Sequence, residues 1–230
     1  YVYGEFGAGK SAIVSALFAH LERFSVGTRS VIHTSTRPNT PATPGFVYVD
    51  MRTTTSEFSF YHAVLDNLVE QSVPEHGIST HELTERLNTI LNGSRTGVVI
   101  AVDHVAEPDG RDSEALIDLF AGLPSNASWL AVGRATPTET GLTTYTASTI
   151  NVERYQPQML VDVLMTRASE GLARQALDHE LARRIAGWAD GNAHDALTAL
   201  FIAADRANQA GRTRLTEGDL NDAVAEIPRP

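Results

Sequence analysis

Residues 4–11 read GEFGAGKS, which sets Gly4, Gly9, Lys10 and Ser11 in the pattern G-x-x-x-x-G-K-[ST]. No other stretch limits the fold as tightly. Ahead of it, Tyr1-Val2-Tyr3 reads as the end of a buried strand. Behind it, Ala12 to Arg23 reads as an amphipathic helix with Ile13, Leu17 and Leu21 on its apolar face. Strand, glycine turn and helix in that order make a phosphate cradle, because glycines let successive backbone N–H groups curl around an anion at a helix N-terminus. The binding set is then Gly4, Glu5, Phe6, Gly7, Ala8, Gly9, Lys10 and Ser11. In such a loop Lys10 reaches the terminal phosphates and Ser11 supplies an oxygen to Mg2+. Gly7-x-Gly9-x-x-Ala12 also fits a dinucleotide fingerprint. That reading needs an acid about 20 residues on, and Asp50, at the end of the next strand, lies too far along the chain.

Lys10 is the chain's one lysine, against 17 arginines, where average composition would give about a dozen lysines. With 28 acidic residues, 18 basic ones and a net charge of −10, the balance is that of a surface kept soluble by carboxylates in concentrated salt. An extreme halophile is the expected source. A lysine that survives such depletion marks a position where arginine or a carboxylate fails, which singles out Lys10 independently of the motif.

The length of 230 residues, 42% of them apolar, allows one large domain or two modest ones. Without cysteine, disulfides and thiol chemistry are excluded. No apolar run of about 18 residues occurs, so the expectation is a cytoplasmic protein with no membrane partner. The chain opens on Tyr1 and not on methionine, which reads as an excerpt of a longer polypeptide. Phe24 to Val49 holds no acid, and its middle is rich in Thr, Ser and Pro, the composition of a long loop. Arg29 and Arg37 there make at most a weakly basic surface for nucleic acid.

FVYVD, Phe46 to Asp50, reads as a second strand, followed by a helix over Glu57 to Gln71. Another helix opens at Ser79, where Ser79-Thr80-His81-Glu82 forms a capping box ahead of Leu83, Leu87 and Leu91. GVVIAVDH, Gly97 to His104, is a buried strand delivering Asp103 at its C-terminal edge, where a phosphate loop needs a carboxylate for magnesium. Ser128 to Gly133 and Thr149 to Val152 read as further strands. Strands alternating with helices imply a parallel sheet covered on both faces. From Gln156 onward only helical periodicity remains, in four segments, the last capped by Thr216. His20, His33, His62, His76, His81 and His179 show no pair at helical ligand spacing.

These stretches together resemble AAA+ ATPases, and within them the origin-recognition and loading-factor type of archaeal replication initiator. GEFGAGKSAIV, FVYVDMR, the STHELTERL helix and RYQPQMLVDVLMTRA carry the likeness, with GWADGNAHDALTALFIAADRA and LTEGDLNDAV completing it. The resemblance covers nearly the whole chain. It implies an α/β fold of the P-loop NTPase (AAA+) class over residues 1–152 and an all-α lid over residues 153–230. It further implies ATP or ADP with Mg2+ as ligands, held between the two, with Ser11 and Asp103 as metal residues. A winged-helix domain beyond residue 230 would grip origin DNA, and subunits of the same or a different kind would assemble.

Departures from the family pattern bear on catalysis. The magnesium strand of the family ends in Asp-Glu, whereas here His104 follows Asp103, and Glu107 lies three residues on. Arg134 stands where a water-positioning amide is expected, and His194 replaces the arginine of the lid's sensor motif. No arginine occurs from Ala135 to Val152, where an arginine finger belongs, and TTTSEFSFYHAV has no basic residue except His62 in place of a basic DNA helix. His104, Glu107, Arg134 and His194 are therefore the candidate catalytic positions. The expected function is a nucleotide-gated switch for DNA binding whose ATP hydrolysis is slow or impaired. Two other functions fit the same sequence: an active AAA+ or signalling-type ATPase whose lid couples to a protein partner, and a catalytically dead regulatory or scaffold module.

Overall fold

The computed structural model describes residues 1–27, 45–69, 71–93, 97–107 and 113–228. The Thr/Ser/Pro-rich segment with Arg29 and Arg37 lies outside these. Two compact units divide the chain: Tyr1–Tyr3 with Lys10–Asn151, and Gly4–Gly9 with Val152–Pro230.

The first unit is a sheet of five parallel strands in the order β2-β3-β4-β1-β5, formed by β1 (Val2–Tyr3), β2 (Gly45–Asp50), β3 (Val98–Val105), β4 (Ala127–Gly133) and β5 (Ile150–Asn151). Among the described residues it is flanked by the α-helices α1 (Lys10–Gly27), α2 (Glu57–Leu68), α3 (Thr80–Gly93) and α4 (Ser113–Ala121). Valine and isoleucine at every second position of β2 and β3 bury one face: Val47, Val49, Ile100 and Val102 are at most 2% exposed. Against it pack Phe60, Val64 and Leu65 of α2, Leu83 and Leu87 of α3, and Leu116 of α4. The Leu83, Leu87, Leu91 stripe of α3 is buried as its spacing implies, and Ser79 Oγ accepts from Glu82 N at 3.1 Å. Helix α2 is fixed by a capping box that the sequence reading missed, Ser56 with Ser59, and ends at Leu68, short of Gln71.

Two features differ from the sequence reading. On α1 the core takes Val14 and Phe18, while Ile13 and Leu17 are about half exposed. Both stripes run at i, i+4, one residue apart, so periodicity alone does not choose between them. Phe18 decides it through its ring contact with Phe46 of β2, 5.1 Å between centroids. Second, β3 does not end at Asp103. It runs to Val105 through a register shift against β4, with His104 at φ 60° and Ala106 at φ 54°. Asp103 is thus inside the strand and 1% exposed.

The second unit holds α5 (Pro157–Gly171), α6 (His179–Ala189), α7 (Ala193–Gln209) and α8 (Glu217–Glu226). Its core is largely alanine: Ala182, Ala186, Ala196, Ala199 and Ala203 are at most 1% exposed, with Leu160, Leu164 and Ile185 supplying the bulk. Asp178 caps α6, Asn192 caps α7, and Thr216 with Asp219 forms a complete capping box on α8. Among the described residues no helix is long and apolar enough to cross a membrane.

Candidate functional site

The glycine-loop backbone is held by its neighbours in the helical unit. Gly7 has φ 76°, and a Cβ there would fall 1.7 Å from Asn192 Oδ1. Gly9 has φ 87°, with Tyr155 Oη at 2.8 Å from the same hypothetical atom. Both positions therefore demand glycine, for conformation and for room. Ala193 N donates to Gly7 O at 2.9 Å, and Ala8 N closes a turn onto Glu5 O at 3.3 Å. Arg154 Nε donates to Glu5 Oε2 at 2.6 Å, and its Nη1 lies 3.4 Å from Asp190 Oδ2. His194 meets Phe6 edge to face at 4.9 Å. Gly4 to Gly9 is thus braced by Tyr155, Asn192 and His194, none of which the motif itself contains.

Lys10 and Ser11 open α1 in the α/β unit. Lys10 is 7% exposed. Burial lowers its pKa and nearby Arg134 lowers it further, against the opposing pull of the Glu107 and Asp103 carboxylates. A buried ammonium at a helix N-terminus, where the macrodipole is also positive, is electrostatically strained and suited to an anion.

Parallel pairing of β2 with β3 aligns Asp50 with Asp103 and Tyr48 with Ala101. Side chains two apart on a strand share a face, so Tyr48, Asp50 and Asp103 emerge on the side opposite the Val47, Val49 core. Tyr48 Oη donates to Asp103 Oδ2, and Ser11 is a second hydrogen-bond partner of the same phenol. Burial and then the Asp103 carboxylate hold the Tyr48 pKa well above the ordinary phenol value. Asp103 Oδ1 accepts from His104 N at 2.7 Å. His104 Nδ1 lies 3.1 Å from Asp50 Oδ1 and 3.8 Å from Asp103 Oδ2, but neither contact has hydrogen-bond alignment among the described residues. Asp50 also pairs with Arg52 at 2.7 Å, and those hydrogen bonds, chiefly, depress its pKa.

Glu107 sits past the left-handed turn of His104 and Ala106. Its side chain is 9% exposed, with Arg134 Nε 3.3 Å from Oε2. The α/β unit therefore brings Asp103, His104, Glu107 and Arg134 to the strand ends near Lys10, while His194 belongs to the brace on Phe6. Sequence reasoning gave no place in this site to Tyr48, Asp50 or Tyr155, weighing Asp50 only as the acid of a dinucleotide fingerprint. The first two had a signal, the polar every-second positions of FVYVD, which becomes meaningful only once the register with β3 is known. Tyr155 had none.

The donors fit a magnesium ion in kind, a hydroxyl and a carboxylate, both hard oxygens. Both carboxylate oxygens of Asp103 are, however, already engaged by Tyr48 and by His104 N. Among the described residues no group of three or more His, Asp or Glu is arranged to hold a metal, so an ion here would depend on phosphate oxygens for the rest of its shell.

A parallel sheet in the order β2-β3-β4-β1-β5 with a phosphate loop after β1 and a helical unit after β5 defines a class. The AAA ATPase domain family matches residues 1–132, more than half of the chain, and the chain belongs to that family. Its likeness is more particular than that. It is 24% identical over 242 residues to the ORC1-type DNA replication protein 1 of Sulfolobus acidocaldarius, covering all of this chain and 57% of that protein. The solved structure of the Aeropyrum pernix ORC1 protein in complex with DNA superposes with a TM-score of 0.76 at 22% identity, over 98% of this chain and 58% of that one. The ADP form of the Aeropyrum pernix ORC2 protein gives a TM-score of 0.74 at 17% identity, over 98% and 61%. The chain thus spans somewhat more than half the length of these relatives, and the resemblance to ORC1-type AAA+ proteins stands.

Proposed function

We propose that this chain is the ATP-binding module of a replication-initiator-like protein, a nucleotide-gated switch for DNA binding that hydrolyses ATP slowly. The observation that carries the reading is the pairing of an intact phosphate loop, with Lys10 buried at the start of α1, with an acidic strand whose next residue is His104 turned onto Asp50. The backbone N–H groups of the loop and Lys10 bind the phosphates, and Ser11 and Asp103 are the residues that would hold Mg2+. When bound, that ion would neutralise charge on the β- and γ-phosphates. Hydrolysis needs a group that orients the attacking water, and an imidazole whose Nδ1 lies 3.1 Å from Asp50 Oδ1 is poorly disposed to do so. The likeness to a DNA replication protein and to a DNA-bound ORC1 structure supports placing the switch in replication. DNA contact is assigned to a winged-helix domain outside residues 1–230, since this part carries a net charge of −10, and the complete protein to oligomers of like or related subunits.

A second reading, an active ATPase, draws on Glu107. Its carboxylate is buried beside Arg134, and both are among the charges acting on Lys10. Steady-state phosphate release from the parent and from Glu107→Gln separates the two. Slow release that Glu107→Gln leaves unchanged supports the switch. Brisk release that Glu107→Gln abolishes makes Glu107 the water-orienting residue and sinks the slow-hydrolysis reading.

A further inference from the structure

The Tyr48 phenol, on β2, has both residues assigned to the cation as hydrogen-bond partners. Its hydroxyl donates to Asp103 Oδ2 and has Ser11 as its other partner. A magnesium ion held by the same two residues would compete for the Asp103 Oδ2 that the phenol proton now occupies. The chemistry is parallel as well. Asp103 is 1% exposed, and a carboxylate so deeply buried is costly without partners. Here the phenol proton serves Oδ2 and His104 N serves Oδ1 at 2.7 Å, so the charge is met without a metal. The left-handed backbone at His104 and the register shift in β3 hold that amide on the carboxylate.

We propose that the Tyr48 hydroxyl stands in the place of the divalent cation, so that this site binds nucleotide through loop and Lys10 alone and takes a metal ion only when the phenol leaves Asp103. The inference rests on the nucleotide-binding reading above. It makes Tyr48 a residue that sets metal dependence, a role distinct from packing, since Phe at this position keeps the ring and removes only the hydroxyl.

The test is ATP binding by calorimetry to the chain of residues 1–230, in EDTA and in excess Mg2+, with Mn2+ bound in the presence of ATP read separately by electron paramagnetic resonance. The parent should show less than about threefold difference in ATP affinity between the two conditions. Tyr48→Phe should match the parent in EDTA and tighten by about tenfold or more with Mg2+, with a similar gain in Mn2+ affinity. A larger metal dependence in the parent overturns the inference, and that measurement stands whether or not the variant folds. A folded Tyr48→Phe with no gain in either metal readout overturns it too. Failure of both proteins to bind ATP in either condition, with native circular dichroism, brings down the nucleotide reading itself. That outcome is distinct from parent binding that simply requires magnesium.

Discussion

Two buried aspartates show how differently the two units treat charge. Asp219 in the helical unit takes both terminal guanidinium nitrogens of Arg212, at 2.6 and 2.7 Å, and closes the capping box with Thr216. Every partner lies within seven residues, the backbone is regular, and the side chain is 6% exposed and fully satisfied. Asp103 in the α/β unit draws its side-chain hydrogen bonds from β2, 55 residues away, and from its own strand, beside two non-glycine residues at positive φ and a buried imidazole nitrogen with no aligned hydrogen bond among the described residues. A cluster that is complete and unstrained holds a fold together. One that keeps strain and an unmet polar atom has the character of a site that works.

The contrast is sharpest if Lys10, the proposed phosphate ligand, is removed. Lys10→Ala should abolish the ATP-induced rise in melting temperature in high salt, an effect of about 2.7 kcal/mol when ATP is at a hundred times its dissociation constant. The unliganded protein should melt close to the parent, since it loses a buried charge. An ATP-induced shift equal in the two proteins would show that the loop does not bind phosphate.

Breaking the helical cluster should do the reverse. Arg212→Ala leaves Asp219 without its main partner and should lower stability by denaturant unfolding, with ATP affinity unchanged. The Arg212 guanidinium, first, and then the Thr216 hydrogen bonds hold the Asp219 carboxyl far below the usual carboxylate range. A depressed native pKa stabilises the fold at every pH above the unfolded value, about 3.9, and that stability is lost as pH falls through the native value. The parent should therefore lose stability below about pH 4, and Arg212→Ala should show a shallower acid loss. Equal acid profiles would mean that the pair contributes nothing.

How much of each cluster was legible follows from the same difference. The Thr216 cap and the leucine stripe of α3 were read from sequence because their partners lie a turn or two away. The phosphate loop was legible because its spacing is itself the geometry. Tyr48 over Asp103 was not, because it depends on the β2–β3 register, a long-range choice that no local spacing encodes. The burial of Val14 and Phe18 in place of Ile13 and Leu17 was hidden because two apolar stripes compete on one helix. Glu107 was left open since the turn at His104 and Ala106, which carries it beside Arg134, needs a left-handed backbone that no local sequence signal announces.

Strain in that turn is itself measurable. Ala106→Gly should raise stability by about 1 kcal/mol, because an L-residue in the left-handed region carries roughly that penalty. Glycine at a regular position such as Ala186, which is on α6 and 1% exposed, should lower stability by about the same amount or more. Destabilisation at both positions would show that the strand end carries no stored strain.

The smallest effect expected is the most informative about chemistry. His104→Glu returns a carboxylate to the position next to Asp103, and steady-state phosphate release should rise severalfold, less than the tenfold that corresponds to about 1.4 kcal/mol of barrier. Two features of the structure keep the gain small. The new side chain would inherit a residue at φ 60° that faces Asp50, 3.1 Å from the present imidazole nitrogen, so its like charge is repelled instead of aimed at a phosphate. Arg134, meanwhile, is paired with Glu107 at 3.3 Å and is not free to orient water. The double variant His104→Glu with Asp50→Asn removes that repulsion and should gain more than His104→Glu alone. If the single variant already restores brisk turnover, the orientation at residue 104 is not what limits hydrolysis. If neither variant gains, and Glu107→Gln abolishes what activity there is, the carboxylate that matters was already in place beyond the turn.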